Sequence, residues 1–355
     1  MPDKTIMKTN FASDNNSGIA PEYLAAIAEA NIEHAPAYGN DDWTKQACAR
    51  FREFFETDCE VFFVFNGTSS NSLALAHLCN SYHSVICHPL AHIETDECGA
   101  PEFFSGGSKI LLADGPGGKI SPAEMEKRVH QRRDIHYPKP HVLSVTQATE
   151  VGTLYSIDEL LELGALAHGL GLKIHMDGAR LSNAIATLDC TPKEATWKVG
   201  VDVLCFGGTK NGMLGSEAVV FFNKQLAHDF DYRCKQAGQL ASKMRFHAAQ
   251  WIASLRDGLW LQYAKQANHT AAFLATKLRA IPGVRFMHQP QANSLFITLP
   301  ADTIAKLHAR GWSFYEFIGT GGARLMCSWD TQENDCTAFA EDVRNLLAAS
   351  PGIRA

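Results

Sequence analysis

The sequence predicts an α/β protein with a mostly parallel sheet flanked by helices and a smaller α+β C-terminal domain. Three observations predict it. Short apolar runs alternate with helix-like stretches through the middle of the chain, as when strands are covered on both faces by crossover helices. After about residue 225 the texture changes to a basic stretch, a long helical region and a strand–helix–strand–helix tail. With 355 residues, 46% apolar and 20% charged, the chain can build one large core and a lesser one.

The elements follow in order. Strands are predicted at 61–65, 84–87, 110–112, 142–146, 173–176, 201–206 and 218–222. Helices are predicted at 70–80, 121–133, 156–168 and 191–198. Ser121-Pro122-Ala123-Glu124 and Ser156-Ile157-Asp158-Glu159 read as capping boxes, the first with proline in the opening turn. The link from 206 to 218 is too short for a helical crossover, so the 218–222 strand is expected to run antiparallel. Beyond it come a helical region at 248–280 broken near Asp257-Gly258, a strand at 294–298, a helix at 302–309, a strand at 324–328 and a helix at 335–348. The expected domains are 1–50, an N-terminal segment, 51–260, the large domain, and 261–355, the small domain.

The formal net charge of −6, with no long like-charge block, argues against nucleic acid and anionic membranes as partners. Ten cysteines without a CxxC pair read as reduced thiols. The opening residues lack a signal peptide's apolar stretch, and no apolar run spans a membrane. A cytoplasmic protein is expected.

Three places carry chemistry. Phe206-Gly207-Gly208-Thr209-Lys210 puts a lysine in a glycine turn after a buried strand, where parallel sheets build ligand sites. A desolvated lysine there can react as a neutral amine with a carbonyl such as that of pyridoxal phosphate. Asn66-Gly67-Thr68-Ser69-Ser70-Asn71 is a strand end, a tight turn and a helix start, a seat for one phosphate. It is neither a dinucleotide fingerprint nor a Walker loop. His175-Met176-Asp177-Gly178-Ala179-Arg180 ends another strand in a carboxylate that needs a partner, either Arg180 or a pyridinium N–H. His92-Ile93-Glu94 has the His-x-Glu of zinc deaminases without the Pro-Cys-x-x-Cys that should follow, and no metal site is expected. Gly115-Pro116-Gly117-Gly118 reads as a turn.

Phosphate turn, aspartate and lysine occur in that order, the last two 33 residues apart. This resembles the fold-type-I enzymes dependent on pyridoxal 5′-phosphate. Phe11-Ala12-Ser13-Asp14-Asn15, Ala91-His92-Ile93-Glu94-Thr95-Asp96-Glu97, Asp134-Ile135-His136-Tyr137 and Gly208-Thr209-Lys210-Asn211 narrow the resemblance. With the turn and aspartate motifs they look like the low-specificity L-threonine aldolases, over nearly the whole chain.

The resemblance implies retro-aldol cleavage of L-threonine, L-allo-threonine and other L-β-hydroxy-α-amino acids to glycine and an aldehyde. It implies that Lys210 holds the cofactor covalently as an aldimine and that Asp177 pairs with the ring nitrogen. Gly67 and Thr68 would take the phosphate, His92 would stack on the ring, and Arg180 would also lie near the cofactor. Ser13, Arg180 and Arg324 would clamp the substrate carboxylate. Asp96 and His136 would face the substrate side chain, with His92, His136 or a water as base. A homo-oligomer, a dimer of dimers (homotetramer) with the site at the dimer interface, is implied. Tyr38 and the basic residues Lys235, Lys243 and Arg245 are candidates to reach a neighbouring site. The rival readings are a β-eliminating lyase or aminotransferase on the same scaffold, a phenylserine- or allo-threonine-selective aldolase, and a non-catalytic binder of a phosphorylated metabolite.

Overall fold

The computed structural model describes residues 10–316 and 322–349. Two helices, α1 (Pro21–Ala30) and α2 (Asp42–Phe55), precede β1 (Glu60–Val64). Then follow α3 (Gly67–Leu78), β2 (His83–Cys87), α4 (His92–Thr95), α5 (Ala100–Phe104), β3 (Lys109–Leu112), α6 (Pro122–His130) and β4 (Lys139–Thr146). The sheet is completed through α7 (Ile157–Gly169), β5 (Lys173–Gly178), α8 (Leu181–Leu188), β6 (Val203–Gly207) and β7 (Glu217–Phe221). The rest is α9 (Phe230–Gln236), α10 (Arg245–Leu255), α11 (Leu259–Arg279), β8 (Arg285–Phe286), β9 (Ser294–Thr298), α12 (Ala301–Ala309), β10 (Tyr315–Glu316), β11 (Gly322–Met326) and α13 (Glu333–Ala348).

The seven-stranded sheet has the order β1-β7-β6-β5-β4-β2-β3. The pairs from β3 to β6 are parallel, and β7 runs antiparallel between β6 and β1. Alternation along the strands separates two cores. Phe206, Leu204, Ala218 and Val220 join Phe51, Phe55 and Trp251 on one face. Val203, Cys205, Val219 and Phe221 meet Leu73, Ala74 and Leu75 of α3 on the other. Every residue of α3 from Ser70 to Ala76 is buried, because the helix is enclosed by the sheet and its neighbours. A four-stranded sheet, β10-β11-β9-β8, packs against α11 and α13 around a third core. Helix α11 serves two cores: Trp260 and Tyr263 enter the large one, Leu274 and Leu278 the small one.

Two local expectations change. The helix expected at 191–198 is a set of turns ending in a short 3-10 segment, Trp197–Val199. Thr196, with φ −130° and ψ −100°, interrupts helical geometry, and the crossover helix is α8, ten residues earlier. At α6 only half the capping box forms. Ser121 Oγ accepts the Glu124 N–H at 3.2 Å, but the Glu124 carboxylate pairs with Lys127 at 2.7 Å instead of returning to Ser121. The box at Ser156 and Glu159 is complete. Among the described residues no helix is long and apolar enough to cross a membrane.

Candidate active site

The carboxyl ends of β1, β4, β5 and β6 surround a cavity of about 370 Å³, where open α/β sheets bind ligands. Gly67, Thr68, His92, Asp177, Arg180 and Lys210 all line it.

The Lys210 turn requires close backbone approach. A Cβ on Gly207 would overlap the Ala179 backbone, and one on Gly208 would overlap the Ser216 carbonyl and Met213. Gly207 therefore lets the end of β6 lie against the end of β5, Gly208 lets the turn fold back against Ser216, and Lys210 comes into one cavity with Asp177. At α3, Asn66 caps the helix by accepting the Ser69 N–H at 2.8 Å, which leaves the N–H groups of Gly67 and Thr68 for an anion. A Cβ on Gly67 would meet nothing within 4 Å, so this side of the turn is open.

Asp177 is 5% exposed. Its Oδ1 accepts the Ala179 N–H at 3.0 Å and its Oδ2 accepts from Asn71 Nδ2 at 2.8 Å. Among the described residues it has no Lys or Arg partner at salt-bridge distance; Arg180, the structural alternative, pairs elsewhere. Burial pushes the Asp177 carboxyl up, but the charges of His92 and Lys210 and its two donors hold it below the usual value. Asn71 also donates to Glu97 Oε1 at 2.8 Å, so one amide bridges two buried carboxylates. Glu97 in turn accepts from His92 Nδ1 at 2.8 Å. That bond raises His92 above its usual value, and burial raises Glu97.

Arg180 is held by Asp14 in a two-point pair, Nε–Oδ2 at 2.7 Å and Nη2–Oδ1 at 2.9 Å. Burial alone would raise Asp14; the Arg180 charge holds it low. Nη1 of Arg180 has no hydrogen bond among the described residues. Arg324 donates from Nη2 to the Ala12 carbonyl at 3.0 Å, while its Nε is buried without a partner. Burial and then the neighbouring Arg180 charge lower Arg324, so two guanidiniums stand close together with donors to spare. Arg324 and Ser13 lie outside the cavity lining; Ser13 Oγ accepts the Asn15 N–H at 3.1 Å as a helix cap.

Asp96 lines the cavity from the end of α4, exposed and accepting from Thr95 Oγ1 at 2.7 Å. His136 does not. It sits on an exposed loop just before β4, its N–H donating to Asp134 at 3.1 Å. Thr146, at the far end of the eight-residue strand, lines the cavity. His136 is therefore about 25 Å from its own chain's site along β4. Tyr38 and Lys235 meet each other, with Lys235 Nζ 4.7 Å from the ring centre, and neither lines the cavity. Arg245 is occupied by the Ile32 and Glu33 carbonyls.

Sequence reasoning missed Asp14, Asn71, Glu97, Glu150 and Glu217. Glu150 and Glu217 line the cavity, and burial raises both above the usual carboxylate value. Asp14 and Asn71 lie inside motifs already singled out, and Glu217 is a charge heading the apolar strand Ala218–Phe221 beside the lysine turn.

A lysine, an unpaired buried carboxylate and an open helix start on a fold-type-I scaffold define the class of a pyridoxal phosphate enzyme. The beta-eliminating lyase family matches residues 10–301. A low specificity L-threonine aldolase of Pseudomonas sp. (strain NCIMB 10558) is 58% identical over 97% of this chain and 100% of its own. One of Pseudomonas aeruginosa is 60% identical over 96% and 98%. A threonine aldolase structure from Leishmania major superposes with a TM-score of 0.90 at 31% identity, covering 95% of this chain and 99% of that one. The chain belongs to the beta-eliminating lyase family, and within it to the low-specificity L-threonine aldolases.

Pyridoxal 5′-phosphate, which that membership implies, fits these residues. Asp177 lacks a cationic partner where the ring nitrogen would need an anion, and the Gly67 side of the α3 turn is open.

Proposed function

We propose that this protein cleaves L-threonine, L-allo-threonine and related L-β-hydroxy-α-amino acids to glycine and an aldehyde, with pyridoxal 5′-phosphate as cofactor. The observation that carries the reading is the shared cavity of Lys210, the Asp177 carboxylate and the Gly67–Thr68 turn.

Lys210 would hold the cofactor covalently through Nζ. When bound, the cofactor supplies the electron sink that makes a bond at Cα breakable. Asp177 keeps a proton on the ring nitrogen, and the α3 N–H groups with Thr68 hold the phosphate. The free Nη1 of Arg180, which lines the cavity, takes the substrate carboxylate, with Arg324 and Ser13 behind it, and turns Cα so that the Cα–Cβ bond is the one aligned to break. His92 offers a flat aromatic face. Its Nδ1 is tied to Glu97, which leaves Nε2 as the nitrogen for proton transfer at the β-hydroxyl. Asp96 lies on the side-chain side.

His136 lies too far from its own cavity to serve there, so a role in cleavage requires another copy of the chain to receive it. Assembly as a homo-oligomer, a dimer of dimers, is part of this proposal. The ten cysteines are all free, which supports a cytoplasmic location.

Incubation with L-threonine and with L-allo-threonine should yield acetaldehyde and glycine in equal amounts. Pyruvate and ammonia instead would establish elimination. Lys210→Ala should abolish both turnover and the visible absorbance of the bound cofactor.

A further inference from the structure

Glu217 opens β7, and its register places it beside two strand ends. One neighbour is Gly207, which leads into the Lys210 turn; the other is Val64, which leads into the Gly67–Thr68 turn. By strand alternation its side chain shares the face of Val219 and Phe221, toward α3. It is a carboxylate at the head of an apolar strand, 7% exposed, with no ion pair among the described residues. Oε2 accepts the Gly208 N–H at 2.8 Å, and the Thr209 hydroxyl is a further partner. It lines the same cavity as Gly67, Thr68 and Lys210.

We propose that Glu217 is a positioning residue for Lys210, holding the backbone that presents the lysine and, when ionised, slowing entry of the cofactor. The inference rests on the reading of Lys210 as the cofactor-binding residue. The Gly208 and Thr209 bonds fix the two residues immediately before Lys210, so Glu217 sets the direction from which the lysine leaves the turn. The same carboxylate shares a cavity with the seat proposed for a phosphate monoester. Its negative charge opposes an arriving dianion. Burial pushes the Glu217 acid up to about 7, with Thr209, Gly208 and Lys210 pulling the other way. The titratable groups facing it are Lys210 on the turn and Cys205 on β6. Val64 faces it from β1, and α3 brings no charged side chain to this end.

The test follows uptake of pyridoxal phosphate by the apo-protein through visible absorbance, for wild type, Glu217→Gln and Glu217→Ala. Glutamine keeps an oxygen for the Gly208 N–H but carries no charge. The ratio of the Gln variant's uptake rate to wild type should be near one at acidic pH and rise through pH 7 to about tenfold. The Ala variant should retain the cofactor about tenfold more weakly on dialysis, and the Gln variant should restore retention. A ratio that stays flat across pH 7, or an Ala variant that retains cofactor as wild type does, overturns the proposal. Wild-type apo-protein that takes up no pyridoxal phosphate overturns the functional reading as well.

Discussion

Replacing Asp14 with Asn tests whether the buried pair with Arg180 organises the substrate clamp. Asp14 is 1% exposed and the Arg180 side chain 14%, so solvent screens the pair little. Asp14 accepts two bonds from Arg180, at 2.7 and 2.9 Å, and a third from Asn293 at 3.2 Å. Asn preserves shape and one accepting oxygen, but turns an NH2 toward a guanidinium and leaves its charge uncompensated. Removing one partner of a buried pair costs about 3–5 kcal/mol; with one acceptor kept, about 3 kcal/mol is expected here. Asp14 is depressed in the native state, so its contribution is complete above the ordinary carboxylate value and is lost as pH falls through the depressed one. The difference between wild type and variant should therefore hold steady at neutral pH and shrink only on strong acidification. Urea unfolding of the apo-proteins measures the stability loss. Kinetics on L-threonine measure the function: a misdirected Arg180 should raise KM by about 10- to 100-fold, since each tenfold step is about 1.4 kcal/mol. A variant within about 0.5 kcal/mol of wild type and with unchanged KM would refute the reasoning.

Other outcomes follow from the same geometry. Asn71→Leu strips a donor from both Asp177 and Glu97, and at about 1.5–3 kcal/mol per bond to a charged group it should lower the urea midpoint strongly and weaken cofactor retention. Gly208→Ala, whose φ of −108° suits alanine, must still displace the Ser216 carbonyl; a loss of about 1–3 kcal/mol with impaired cofactor uptake is expected. Glu217 is raised from 4.5 to about 7, so apo-protein stability should fall as pH rises across that window. Glu217→Gln should remove this fall and gain about 3 kcal/mol on wild type by pH 8, at about 1.4 kcal/mol per unit; parallel pH–stability curves would refute it. His136→Asn should slow cleavage without weakening cofactor retention, and unchanged turnover would remove it from the mechanism.

What the sequence by itself determined is local. A glycine turn at the end of an apolar strand identifies Lys210, a helix start after another identifies Gly67 and Thr68, and a carboxylate closing a third identifies Asp177. Each signal occupies fewer than about a dozen consecutive residues, and the antiparallel β7 follows from the shortness of one loop. Thr191-Pro192-Lys193-Glu194 carries the residues of a helix start, but turns follow it and the helix is Leu181–Leu188, where apolar residues are denser. The tertiary structure alone decided the pairings. Asp14 and Arg180 are 166 residues apart, Asn71 and Asp177 are 106 apart, and no local pattern joins them. It also separated His136 from the site, because a parallel strand sends the loops at its two ends to opposite edges of the sheet. Glu217 shows the division most clearly: its charge at the head of an apolar strand is visible in the sequence. Its place between the lysine turn and the phosphate seat exists only once β7 is inserted between β1 and β6. Local propensity fixes what a residue can do, and long-range strand pairing fixes which residues do it together.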